Sequence, residues 1–516
     1  MTAPPTSGPR HSLLDDTLFG VEADERERRL TLPGVLAALC RGEAFEFSTL
    51  QAHQQHAWHA FLVQLACLSL VRSGCPNPPD DETRWRQLLV RCAEQDGSGT
   101  EAFALVVPDL SEAAFMQPPV PEGTLSVLKA VHWSPSAELD VLVTSKNHDA
   151  KVRRLASPAP DHWAYGLVTL QTMQGFLGAG NYGIARMNGG FASRPCVAYA
   201  PSLVPAVRFG RDLTAMLDAR ESSVGRGFAK KGGVGLVWCA SWDGNASLEL
   251  ASLDPYFIEI CRRVRLSGCE DGLRAHRGSS KRPRIDAKAL TGNTGDAWTP
   301  VDRNGKALTV PDAGFGYERV QDLMFGDWAH GVCGDRVLEE DRYWLGQVLV
   351  RGQGKTGGYH ERWIPVPGRV RLLMANSSER QRLGSTAREW VRIADVARDR
   401  ILRPALRTLL QGGPEPSNFL DHFGAEVDAV FFELLFQHAE DDVESANVAF
   451  AERLVGMARE ELERATNSVP MSAARRHRAI AFAYRAFWRG IASARGFPSL
   501  PTRQTAPDDP TRGEDA

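Results

Sequence analysis

The chain has 516 residues, enough for two or more domains and a large core. With 43% hydrophobic and 24% charged residues it has the makeup of a soluble globular protein, and a net charge of −3 excludes one coated in positive charge, so contact with nucleic acid has to come from local patches or from partners. Nine scattered cysteines, odd in number and without a CxxC pair, argue against a disulfide framework or a zinc knuckle and for a reducing cytoplasm.

Residues 1–12 are rich in Pro, Thr and Ser and lack the apolar stretch of a signal peptide, so they read as a disordered end of a cytoplasmic protein. Helices are predicted over 30–40 and 48–71, the second capped by Ser48 and carrying Trp58, Phe61, Leu62, Leu65 and Leu68 at helical spacing. Its apolar part, 57–71, includes His59 and Gln64 and is too short to span a bilayer, so no membrane contact is expected. His53, His56 and His59 lie along the same helix. With no carboxylate or cysteine in register they read as a polar helix face rather than a metal site.

From about 100 to 370 short β-type runs, at 104–107, 139–144, 234–239, 344–350 and 370–374, alternate with Gly/Pro-rich turns. Residues 13–375 are therefore expected to form a mixed α/β domain with long loops, of the kind that are usually functional. Four helical segments follow, at 378–411, 417–440, 441–467 and 470–495. The first turns Trp390, Ala394, Ala397 and Ile401 inward and is expected to kink at Pro404. The second buries Phe423, Val427, Val430, Phe431 and Leu434, and the third Val448, Ala451, Val455, Ala458 and Leu462. The last has Ile480, Tyr484, Phe487 and Ile491 inside, with Pro470 in its first turn. Short joints make neighbours antiparallel. The fold class is thus α+β, with an antiparallel four-helix bundle over 376–498 and a disordered tail over 499–516.

Four loop stretches of the first domain combine glycine with cations or amides. One holds Lys146, Asn147, His148, Lys151, Arg153 and Arg154. The second packs Gly175, Gly178, Gly180, Gly183, Gly189 and Gly190 into 16 residues together with Ala179, Asn181, Arg186 and Asn188. Such density gives the backbone access to φ > 0 and lets main-chain groups touch a ligand. The third, 274–288, carries Arg274, Arg277, Lys281, Arg282, Arg284 and Lys288 against one acid, Asp286. The fourth runs through Gln353, Gly354, Lys355 and Thr356. Any one of them alone reads as a solvated surface loop. Together, local positive charge and exposed backbone suit phosphate contact and minor-groove reading of duplex DNA.

Two motifs point elsewhere. Gly178, Gly180 and Gly183 match the dinucleotide fingerprint, which needs a strand before it and a helix after it; Gly189 and Gly190 follow too soon for a helix, and no acid stands about 20 positions on. Gly354-Lys355-Thr356 resembles the end of a Walker A loop, but the glycine required five places earlier is Leu349. No nucleophile–base pair, HExxH or paired-carboxylate arrangement is present, so no catalytic centre and no cofactor are expected. A nucleotide- or flavin-dependent enzyme built on the fingerprint stands as a rival.

At these residues the sequence resembles CasA, the large subunit of the type I-E CRISPR surveillance complex Cascade. The likeness runs nearly end to end, through 32–36, the helix with Trp58, His59 and Phe61, the Lys146–Lys151 loop, the glycine loop, Gly295-Asp296-x-Trp298-Thr299-Pro300, the 354–362 stretch and the bundle. The resemblance implies a non-enzymatic subunit that finds the PAM beside a target in duplex DNA, opens the first base pairs and presents the DNA to a helicase-nuclease. Gly175, Gly178, Ala179, Gly180 and Asn181 would lie against the PAM minor groove, and Lys281, Arg284 or Lys288 would reach into it. Gln353, Lys355 and Thr356 would form a wedge below it, although some relatives carry an Asn-Gln pair there. Lys146, Asn147, His148, Lys151, Arg153 and Arg154 would anchor the subunit near the guide RNA and its neighbours, the backbone and handle-binding subunits. The bundle would contact the small subunits and help hold the displaced strand. Some relatives carry a zinc-binding cysteine cluster; with only Cys261 and Cys269 in that region, no metal is expected. The rival within this family is an assembly subunit that grips guide RNA and protein partners without reading duplex.

Overall fold

A computed structural model of the chain describes residues 10–130, 159–190, 193–224, 226–269, 272–334, 342–352, 355–411, 413, 415–494 and 497. Two compact units share the chain: Met1–Phe315 with Asp327–Val366, and Gly316–Gly326 with Pro367–Ala516. The second unit thus takes in a segment inserted in the first, and its main part begins at Pro367, about nine residues before the expected boundary at 376.

The first unit is built around a helix that is buried on nearly every side. After β1 (Phe19–Ala23), β2 (Arg26–Leu30) and α1 (Leu32–Cys40) come β3 (Glu46–Phe47) and α2 (Ala52–Ser73). Trp58, Phe61, Leu62, Leu65 and Leu68 are all 2% exposed or less, and every residue from 60 to 70 is buried, so the helix lies in a core. The polar-face reading of its histidines is therefore corrected. His53 and His56 are buried, and His59 lies 2.8 Å from Asp212 Oδ2. Burial holds the His56 imidazole down to about 3 and so keeps it neutral. Ser48 is not the cap: its N–H donates to Gly20 O at 3.0 Å beside the strand, while Gln51 caps α2 and its N–H donates to Gln54 Oε1 at 3.2 Å.

Around α2 lie α3 (Glu82–Gln95), α4 (Pro160–Met173) and α5 (Pro205–Asp218), and among them β4 (Lys129–Ala130), β5 (Cys196–Ala200), β6 (Val234–Leu236), β7 (Leu248–Glu249), β8 (Leu253–Ile258), β9 (Arg263–Cys269), β10 (Gly272–Gly278) and β11 (Ile285–Asp286). A long hairpin, β12 (Tyr343–Gly352) and β13 (Lys355–Pro365), pairs through β12 with β5, all antiparallel. The sheets are small: β2-β1-β3, β4-β10-β9, β13-β12-β5, and the two-stranded β6-β8 and β11-β7. The expected strand at 344–350 is present, and that at 234–239 is half strand and half 3-10 turn. The run at 104–107 contributes one bridge, Ala104 to Ser12, and the run at 139–144 lies outside the described residues.

In the second unit, α6 (Tyr317–Phe325) and α7 (Gly368–Ala375) precede the long helices. The strand expected at 370–374 is helix α7. Val370 and Met374 are buried while Leu372 is 73% exposed, a spacing of four rather than two. Then come α8 (Ser377–Val396), running through a π-helical turn at Ala397–Leu402 into α9 (Arg403–Leu410), followed by α10 (Ser417–Gln437), α11 (Val443–Ser468) and α12 (Ala473–Ser493). The π turn sits just before Pro404, whose ring cannot continue an α-helical ladder. Trp390 stacks on Phe450 at 4.0 Å in the centre, with Phe431 edge-on to both. Ala451, Ala458 and Leu462 are buried as expected, but Val448 is 43% exposed, and Phe450, Leu454 and Met457 line the core in its place. Pro470 stands before Ser472, the N-cap of α12, and so outside the helix. No described helix is long and apolar enough to cross a membrane.

Candidate nucleic-acid interface

The glycine loop leaves the end of α4 and returns by its own hydrogen bonds. Phe176 N–H donates to Gly190 O at 3.1 Å, Leu177 N–H to Asn181 O at 3.0 Å, and Asn181 N–H to Gly178 O at 3.0 Å. A helix precedes it and no helix lies within it, which is not the strand–turn–helix setting of a dinucleotide site. Its base is buried at Gly175, Ile184, Ala185 and Arg186, and its tip is open, with Ala179 exposed and Gly178, Gly180 and Asn181 half-buried.

Three buried side chains fix the base. Arg262, 2% exposed, donates through Nη2 to Gly175 O at 2.8 Å and through Nη1 to Tyr182 O, spanning both limbs of the loop. Gln171 holds that arginine's own backbone, its Oε1 accepting from Cys261 and Arg262 N–H at 2.9 and 2.8 Å. Glu259 accepts from Ala185 N–H at 2.6 Å and from Arg186 Nη1 at 2.7 Å, and the Arg186 guanidinium lies 3.8 Å over the Phe257 ring. Burial pulls the Arg262 guanidinium below its usual range, so the carbonyls around it serve to keep its charge tolerable. Arg262, Gln171 and Glu259 did not stand out in the sequence, where Arg262 and Arg263 look like surface charge.

The tip is joined to the third basic stretch. Ser280 N–H donates to Gly180 O at 3.1 Å, and a Cβ on Gly180, whose φ is +86°, would come within 2.9 Å of Ser279 Cβ. Lys281 and Arg282 in turn donate backbone N–H bonds to Gly244 O at 2.7 and 3.3 Å. The glycine tip, the Ser279–Arg282 segment and the turn at Gly244 are thus one hydrogen-bonded surface. Lys281, Arg282 and Lys288 stand exposed on this stretch.

Arg284 does not. It is 4% exposed, its guanidinium donating to the carbonyls of Val237, Ala240 and Ser241 at 3.2, 2.7 and 3.1 Å, and burial lowers its pKa to about 10. It is an interior brace, which removes it from the candidates for entering a groove. Arg274 and Arg277 belong to β10 rather than to a loop.

The fourth stretch is the end of the β12–β13 hairpin, with Gly352 opposite Lys355 and Arg351 opposite Thr356 and a register shift after Val350. Gln353 and Gly354 lie outside the described residues, as do the side chains of Lys355 and Thr356. Lys146, Asn147, His148, Lys151, Arg153 and Arg154 also lie outside them. The Gly295–Pro300 motif is an interior hub. Arg194 grips Asp296 through two bonds of 2.8 and 2.6 Å, Thr299 Oγ1 donates to Pro195 O at 2.9 Å, and Trp298 Nε1 donates to Asp212 at 2.9 Å. Burial opposes ionisation of Asp296, yet Arg194 and Arg186 hold its carboxyl below the usual range.

These features define an α+β protein with a helical C-terminal unit and a loop-rich N-terminal unit. The fold is that of CasA, also called Cse1. The chain is similar to CasA of Thermus thermophilus with a TM-score of 0.59 at 15% identity, over 94% of this chain and 100% of that one. Its similarity to Cse1 of Thermobifida fusca has a TM-score of 0.62 at 13% identity, over 93% and 96% of the two chains. A chain from a structure described as a CRISPR RNA-guided surveillance complex matches with a TM-score of 0.50 at 13% identity, over 93% and 100%. No protein-family model and no curated protein matches the sequence.

Proposed function

We propose that the chain is the non-catalytic large subunit of a type I-E Cascade, assembled with guide RNA and the other subunits. In this reading it recognises the PAM of duplex DNA from the minor groove, starts strand opening and supports recruitment of a helicase-nuclease. The observation that carries it is the union of the open glycine tip with the exposed Lys281 segment. Bare backbone can approach a narrow groove closely, and a cation beside it meets the phosphates or enters the groove. Guide pairing reads sequence while protein reads only the flanking motif, and the exchange of DNA pairs for RNA–DNA pairs is nearly balanced. A few kcal/mol from groove contact and from a wedge at the hairpin end, with Gln353, Lys355 and Thr356, is then enough to start opening. Lys281 and Lys288 are the remaining candidates for the groove.

Gly178 provides the test. Its φ is +110° and no heavy atom lies within 4 Å of a built Cβ, so Gly178→Asp projects a carboxylate into open space at a backbone cost of about 1–3 kcal/mol. In the assembled complex this variant should lose binding to a fully duplex target by repelling phosphate. It should keep binding to a single-stranded target, which needs only guide pairing. Unchanged duplex affinity would contradict the reading, and equal loss on both targets would favour an assembly role without duplex reading.

A further inference from the structure

The Gly295–Thr299 segment also lines a cavity of about 650 Å³ within the first unit, together with Gln64, Arg186, Arg226, Asn293 and Arg303. The buried part of the wall has its polar groups engaged. Asp296 accepts from Arg194 and from Thr299 Oγ1, Trp298 Nε1 donates to Asp212, and Gln64 Nε2 donates to Phe257 O at 2.9 Å. One donor there is left over. Arg186, 3% exposed, places its two Nη groups on Glu259 Oε1 and Phe257 O at 2.7 and 2.9 Å, but its Nε makes no hydrogen bond, with Asp296 Oδ1 3.6 Å away.

The open part of the wall also offers donors. Arg226 and Arg303 are exposed and Asn293 is half-buried, and among the described residues none of these three side chains is in a hydrogen bond or an ion pair. Arg226 lies over Gly295, where an added Cβ would come within 2.9 Å of its Cδ and where φ is +74°, so both the backbone and the space there suit glycine. The carboxylate of Asp302, the other acid on the wall, accepts from the N–H groups of Lys306 and Asn304 at 2.9 and 2.8 Å, and these bonds hold it below the usual carboxylate range. Its charge is thus already met within its own turn.

Free donors without free acceptors answer an acceptor-rich anion, and a planar guanidinium binds phosphate through parallel N–H bonds. A bare phosphate would leave most of the cavity empty, whereas small-molecule sites commonly enclose about 300–1,000 Å³. We propose that the cavity is a binding site for a small phosphate ester of mononucleotide size. Arg226 and Arg303 take the phosphate, the Asn293 amide meets the sugar or base, and a ligand oxygen reaching inward accepts from Arg186 Nε. The site owes nothing to the Gly178–Gly183 fingerprint. It shares Arg186 with the base of the glycine loop, but its occupancy is read without DNA, so this site and duplex reading can each fail without the other.

The test is isothermal titration of the full chain with 5′-AMP, adenosine and inorganic phosphate. Binding of 5′-AMP should be at least ten-fold tighter than that of adenosine or of inorganic phosphate. Arg226→Gln and Arg303→Gln should each weaken it by about ten-fold, as expected for loss of a charged hydrogen bond. Lys231→Gln removes the same charge from an exposed position outside the cavity wall and should leave the affinity unchanged. All three side chains are exposed, and an unchanged melting temperature checks that the variants fold. No binding of 5′-AMP, equal binding of adenosine or of inorganic phosphate, or equal losses in the Lys231 and arginine variants would overturn the proposal.

Discussion

Arg262 shows how a loop with so much glycine can hold one shape. Glycine brings no side-chain packing and has the largest conformational entropy to lose, so its order must be imposed from outside. One buried guanidinium bridging Gly175 O and Tyr182 O does this, with Gln171 beneath it. Arg262→Met should leave those carbonyls without a partner at a cost of about 1–3 kcal/mol each, offset in part by local opening to water. The expected outcome is a melting temperature lowered by a few degrees and weaker duplex binding by the assembled complex. Single-strand target binding should be nearly intact, and Arg262→Lys should restore little because an ammonium cannot span both carbonyls. A variant that melts lower but reads duplex normally would leave Arg262 with a structural role alone. Residues of this kind are illegible in a sequence. Charge announces Arg262, Arg265 and Arg284 as surface, and only the fold reveals that they are buried against carbonyls.

At the scale of elements, periodicity read correctly wherever one period dominated. The four long helices and the strand at 344–350 came through because their apolar positions repeat over many turns or alternate cleanly. It failed at α7, where Val370 and Met374 satisfy both periods; at α2 it gave the helix correctly, and only the reading of its histidines as a polar face was wrong. Boundaries slipped where a neighbouring strand held a residue that looked like a cap, as with Ser48. The β12–β13 hairpin was legible as a glycine-rich stretch but not as a hairpin, since its turn lacks the usual Asn-Gly pair. A hairpin end suits a wedge because its backbone is tied by ladder bonds and resists bending back. Lys355→Ala with Thr356→Ala should therefore slow strand opening by the assembled complex on fully duplex target. The same pair of substitutions should matter little on a target carrying a bubble beside the PAM, and equal slowing on both substrates would count against a wedge.

For the whole molecule, the order of a loop-rich α/β region and a helical region could be read from where composition changes. The insertion of Tyr317–Phe325 into the helical unit could not, because nothing in nine residues says which partner they pack on. Of the candidate site, the glycine loop and Lys281 were found by composition, and their union through Ser280 and Gly244 is a property of the fold. The chain shares that fold with CasA at 13–15% identity, so layout outlasts residue identity here and the proposed DNA contacts have to be tested on this chain. The most direct measurement is binding of the assembled complex to a library of duplexes randomised beside a guide-matched target. The account predicts a small set of enriched flanking motifs, tolerant of A·T for T·A exchange, that loses its enrichment in the Gly178→Asp variant. Uniform recovery of all flanks by the unaltered complex, or an unchanged motif in the variant, would contradict it.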